Sequence, residues 1–167
     1  MDNGNSVEMK VDGLTLDPVT NMPIIILKDL EGERVLPIWV GIFEANAIAL
    51  EIEKISTPRP MTHDLIKNIL DGLDASINHI FVSELKDNTF YALISVRIRG
   101  VNVEIDSRPS DAIAVALRVN APILVSQKVI DEARTFDVSP DAKLEDKDQW
   151  KNWLRNVKPG DFGKIDQ

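Results

Sequence analysis

Two runs of alternating apolar residues meet at the dipeptide Arg99-Gly100. Read as a two-residue turn, it sets Ile98 opposite Val101, Val96 opposite Val103 and Ile94 opposite Ile105, so the apolar faces of the two runs coincide. A slip of one residue would turn each of these side chains to the other face. An antiparallel hairpin is therefore written into this chain, and the rest of the fold has to be compatible with it.

The neighbouring segments read in the same way. Val7, Met9 and Val11 alternate with Glu8, Lys10 and Asp12 as in a half-buried strand, and Gly13 interrupts the pattern at a bulge. Residues 22–27 read as a buried strand, Glu31-Gly32-Glu33 as a turn and 34–40 as a return strand. A helix over 43–54 carries Ala47, Ile48 and Ile52 at helical spacing. Another, opened by Thr62, places Leu65, Ile66, Ile69, Leu70 and Leu73 on one stripe, with Gly72 as its stop signal. Strands over 76–85 and 89–99 follow, and then a helix over 110–119 that is apolar nearly all round and therefore buried. A short strand at 122–125 and a short helix at 128–134 complete the series.

The chain has 167 residues, 44% of them hydrophobic, enough for one full core and an extension. The boundary falls near Phe136, giving a domain over 1–135 and a C-terminal extension over 136–167. In the extension Trp150, Trp153, Leu154 and Val157 form one apolar helical face that should dock on this subunit or on another. The sequence has no cysteine, which excludes disulfides, thiolate metal sites and a thiol nucleophile. Its first ten residues lack the pattern of a secretory signal, and the apolar stretch at 35–43 is too short to span a bilayer, so a soluble cytoplasmic protein without membrane contact is expected. The formal net charge of −8 is the wrong sign for coating nucleic acid with a broad basic face, so any phosphate contact must be local.

Two short segments are near copies of each other. Arg59-Pro60-Met61-Thr62-His63-Asp64 and Arg108-Pro109-Ser110-Asp111 each pass from an Arg-Pro pair through a hydroxyl and an aspartate into an apolar helical run. The prolines hold the arginines out of helical geometry, Thr62 and Ser110 are suited to N-capping, and Asp64 and Asp111 complement the helix dipoles. Capping accounts for the hydroxyls and the aspartates. It requires neither arginine, nor His63.

The two corners are therefore expected to converge on one polar site. His63, Asp64 and Asp111 are its candidate catalytic residues, and Arg59, Thr62, Arg108 and Ser110 would hold substrate phosphate. Glu44 and Asp106 are candidate ligands, with the aspartates, for a divalent cation of the magnesium or manganese type. Structural roles stand beside these: the helix dipole for Glu44, an ion pair with Arg108 or a cross-strand neighbour for Asp106, a backbone hydrogen bond for His63, and apolar packing for Trp39.

Leu36-Pro37-Ile38-Trp39-Val40-Gly41 with Glu44-Ala45, then Pro58 through Leu65, Phe90-Tyr91-Ala92, and Asp106 through Ala114 resemble the successive motifs of the bifunctional nuclease domain family. Four blocks in order make the resemblance specific, and Met61 and Ser107 are mild departures from it. It implies an α+β domain with a mixed, largely antiparallel sheet, self-association, and nuclease activity on DNA and RNA. Some members carry a further partner-binding motif after the domain, and 136–167 shows none.

Two functions follow as expectations. One is a nuclease, metal-assisted, contacting nucleic acid at the two corners. The other is a non-enzymatic oligomeric binding module in which the same corners hold a small anionic ligand or a protein partner. In either case at least a homodimer is expected, because Trp39, the 110–119 helix and the extension's stripe offer much apolar surface.

Overall fold

The structure is a computed structural model that describes residues 5–133. Among them are strands β1 (Ser6–Leu16), β2 (Pro23–Asp29), β3 (Val35–Trp39), β4 (Ala75–Lys86), β5 (Thr89–Ile98), β6 (Val101–Ser107) and β7 (Ile123–Ser126). The helices are α1 (Ile42–Ile52), α2 (Thr62–Gly72), α3 (Pro109–Val119) and α4 (Gln127–Ala133). The strands form one sheet in the order β3-β2-β1-β7-β4-β5-β6. Every neighbouring pair is antiparallel except β4 with β7, so the architecture is the expected α+β arrangement on a mixed, mostly antiparallel sheet.

The hairpin is present in the expected register, with Ile94, Val96 and Ile98 opposite Ile105, Val103 and Val101. Arg99 and Gly100 both take positive φ, 50° and 83°, the turn geometry whose twist matches the flanking strands. The pairing of β1 with β2 shifts between Val11 and Gly13, where the bulge was expected. β2 has strands on both sides and buries Ile24, Ile25, Ile26 and Leu27, which explains its unbroken apolar run.

α3 packs against α1, α2, β4 and β5. Ala112, Ile113, Ala114, Val115 and Ala116 are accordingly buried, as a helix apolar nearly all round should be, and these side chains are taken up by the subunit's own core and not by the assembly also expected of them. α2 departs from expectation in the opposite sense. Its apolar face is wide, and only the side carrying His63, Ile66 and Leu70 is covered to any extent, while Leu65, Ile69 and Leu73 are more than half exposed. The helix also runs through Gly72, and the left-handed residue beyond it is Asp74.

The caps are shifted as well. Met61 and Arg108, both extended, occupy the N-cap positions of α2 and α3, so Thr62 and Ser110 lie one and two places inside the helices and cap neither. Pro109 takes the first helical position, where its missing N–H costs nothing. Trp39 is half-exposed on the edge strand β3, and its indole N–H donates to Asp17 Oδ2 at 2.9 Å. Among the described residues no helix is long and apolar enough to cross a membrane. The extension with Trp150, Trp153, Leu154 and Val157 lies outside them.

Candidate active site

α3 brings the corners together because Asp111 and Arg118, seven residues apart, lie on one face of that helix. That face meets the first turn of α2. His63 Nε2 is 2.9 Å from Asp111 Oδ1, and one residue on, Arg118 Nε donates to Asp64 Oδ1 at 2.6 Å. The corners thus converge as expected, in two adjacent polar links rather than one cluster.

The first link extends to α1. Arg108 donates from Nε to Asp111 Oδ2 at 2.7 Å and from Nη2 to Glu44 Oε1 at 2.6 Å. Glu44 reaches back over its own helix start because Gly41 has no side chain: a Cβ there would overlap Glu44 Oε2. The result is a chain from Glu44 through Arg108 and Asp111 to His63, joining α1, α3 and α2. With Phe43, Met61, Thr62 and Ile66, these four line a cavity of about 610 Å³.

The charge on Asp111 decides which ring nitrogen of a neutral His63 carries the proton. Burial alone would raise the Asp111 carboxyl, but hydrogen bonds from Arg108 and His63 outweigh it and hold the group below the usual carboxylate range. An ionised Asp111 can only accept, so Nε2 of His63 carries the proton. Nδ1 has no hydrogen-bond partner among the described residues, and no buried side-chain nitrogen or oxygen there is left unpartnered. In a neutral ring Nδ1 is then left as the acceptor, on a buried residue that lines the cavity. Arg108 is held more firmly charged by its bonds to Asp111 and Glu44, and two thirds of its side chain is exposed.

The second link is a strap. Arg118, only 5% exposed, also donates to the backbone carbonyls of Ala114 and Ala47, and so ties α3 to α1 as well as to α2. Asp64 accepts from the Met61 backbone N–H at 2.8 Å. Burial would raise its carboxyl too, but the Met61 N–H and Arg118 more than offset that, and it lies below its ordinary value. Asp64 and Arg118 line a second cavity, of about 500 Å³, together with Arg59.

Several expected site residues fall elsewhere. Asp64 belongs to the strap and not to the pair formed by His63 and Asp111. Arg59 does not join Arg108, and Ser110, buried at the second position of α3, lines neither cavity. Asp106 is exposed on β6 and pairs with Leu93, while its neighbour Ser107 pairs with Ala92 of the core. The two-residue strand period turns Asp106 to the opposite face of the sheet, and Arg108 takes Glu44 and Asp111 instead. The expected metal pair of Glu44 and Asp106 is thereby separated, and among the described residues no three carboxylate or histidine groups are disposed to hold a metal ion.

Residues 25–137 match the model of the bifunctional nuclease domain. The chain belongs to that family. An uncharacterized protein of Mycobacterium tuberculosis is 38% identical over 163 residues, covering 93% of this chain and 97% of its own length. Bifunctional nuclease 1 of Oryza sativa subsp. japonica is 25% identical over 109 residues, covering 63% of this chain and 33% of the plant protein. Bifunctional nuclease 2 of the same plant is 26% identical, over 34% of its length.

In this bifunctional nuclease domain the residue that sequence reasoning missed is Arg118. A signal for it exists: it is the one cation in α3, placed where the helix is otherwise buried, and a buried guanidinium requires a carboxylate partner. Gly41 likewise stood in the sequence only as part of the 36–41 block, not as the space that admits Glu44.

Proposed function

We propose that this bifunctional nuclease domain hydrolyses phosphodiester bonds in DNA or RNA at the His63 cavity. The observation that carries the reading is the His63 to Asp111 contact with Arg108 on the same carboxylate, inside a cavity large enough for a nucleotide. The family and its plant relatives support the substrate class. His63 Nδ1 takes a proton from the attacking water as its oxygen bonds to phosphorus and the bond from phosphorus to the leaving sugar oxygen breaks; Asp111 holds the ring and stabilises the imidazolium, the leaving oxygen takes a proton from solvent, and the imidazolium returns its own to solvent. Arg108 keeps Nη1 free of protein partners among the described residues and offers it to the phosphate oxygens.

The donors present do not form a preassembled site for magnesium or manganese, since Glu44 and Asp111 both accept from Arg108. A dependence on a cation would mean a metal brought in with the phosphate, with Glu44 and Asp111 as the carboxylates lining that cavity. A second reading, the non-enzymatic binding module, is favoured by the same double pairing, which locks three helices together whether or not chemistry follows.

Turnover separates the two. Purified protein incubated with end-labelled single-stranded RNA and DNA should release shorter products, and a His63→Gln, Asp111→Asn double variant that remains folded should not. Cleavage that co-purifies unchanged with the double variant belongs to a contaminant, and the binding module then replaces the enzyme.

We also propose self-association through α2. Leu65, Ile69 and Leu73 form an exposed apolar row, a surface a lone soluble domain rarely leaves open. Light scattering at micromolar concentration should give at least a dimer, and Ile69→Asp should give a monomer. A monomeric mass for the unaltered protein would count against it.

A further inference from the structure

We propose that the second cavity holds the nucleotide next to the scissile phosphate, so that the substrate is an extended single strand; this rests on the nuclease reading above. Charge is the first argument. The His63 cavity sets one guanidinium, Arg108, against two carboxylates, and a polyanion gains little by approaching it. The second cavity sets Lys54, Arg59 and Arg118 against Glu51 and Asp64. Lys54 is paired with Glu51 and Arg118 with Asp64, both at 2.6 Å, whereas Arg59 has no ionic partner among the described residues. The local positive excess that an acidic protein needs to hold nucleic acid is therefore Arg59, one cavity away from the chemistry.

The second argument is shape. Arg59 stands between Pro58 and Pro60, and Thr57 Oγ1 donates to its carbonyl at 2.7 Å, so the loop that presents it is stiff before any ligand arrives. Leu50 and Ile55 supply apolar wall, and Asn68 an amide that can meet a base edge. A slot of this kind admits a base only when that base is unpaired. The third argument is continuity: Met61, partly exposed, lines both cavities. A strand crossing Met61 sets one phosphate at Arg108 and the next at Arg59.

Steady-state kinetics on a dinucleoside monophosphate and on an octanucleotide of the same base test this. Per scissile bond, the unaltered protein should favour the octanucleotide by about tenfold in kcat/KM, and Arg59→Ala should abolish that preference through KM, with Arg59→Lys restoring part of it. The dependence of octanucleotide binding on salt, followed by fluorescence anisotropy, should also weaken by about one phosphate contact in Arg59→Ala. An equal effect of Arg59→Ala on both substrates, or none on either, overturns the proposal. If neither substrate is cleaved the nuclease reading has failed instead, and anisotropy still decides this one: octanucleotide binding that is lost in Arg59→Ala supports the subsite, and binding absent from both proteins or equal in both overturns it.

Discussion

Replacing Arg118 by alanine is expected to lower the stability of the folded chain by about 3 kcal/mol at neutral pH, read as a lower urea midpoint with an unchanged slope. The Arg118 side chain is only 5% exposed and joins Asp64 to the carbonyls of Ala47 and Ala114, so its removal leaves a carboxylate and two carbonyls short of a donor. Asp64 keeps about a third of its side chain in water, which sets the effect at the lower end for a broken buried pair. The pH dependence has a definite sign. Because the Asp64 carboxyl titrates below its ordinary value when folded, the stabilisation is complete above about pH 4, the range of an unfolded aspartate, and is lost as pH falls through the lower folded value. The gap between Arg118→Ala and the unaltered protein should therefore shrink on acidification. A gap under about 1 kcal/mol at pH 7 would place the strap among ordinary surface pairs.

That strap also marks where the sequence stopped being informative. The β5–β6 hairpin was legible because period-two alternation and a turn dipeptide constrain the same register independently, and α3 because an all-apolar helix has to be covered. The orientation of α2 was not legible, since a wide apolar face does not say which half its neighbours will cover. The site divides in the same way. His63, Asp111, Arg108 and Glu44 could be picked out as polar groups at loop-to-helix corners, and they do meet. The likeness of the two Arg-Pro corners misled for Arg59. Met61 lengthens the first corner, so Arg59 lies two residues before the N-cap of α2 while Arg108 is itself the N-cap of α3, and the two side chains enter different cavities. Asp106 was misplaced because closeness in sequence to Arg108 was taken as proximity, whereas β6 ends at Ser107 and Arg108, as the N-cap of α3, turns to Glu44 and Asp111.

His63→Ala is expected to reduce kcat for single-stranded substrate by about 10²–10⁴-fold, the span for losing a positioned general base. Since His63 is buried, His63→Gln serves as the variant that fills the space, and matched urea midpoints would show that the loss is chemical. Imidazole added to His63→Ala should recover part of the rate, which no structural role for the ring would produce. Asp111→Asn makes the sharper test. An amide at that position can donate to Nε2, which moves the ring proton to Nδ1 and leaves that nitrogen unable to accept. Asp111→Asn should therefore lose rate on the same scale as His63→Ala, with Arg108 still held by Glu44 and with no recovery on adding imidazole while the ring occupies its place. The two substitutions combined should cost little more than either alone, because residues that act as one unit are not additive. Separate, multiplying losses would mean that His63 and Asp111 act independently, and the pairing seen at 2.9 Å would then be a structural link between α2 and α3 rather than the base of the reaction.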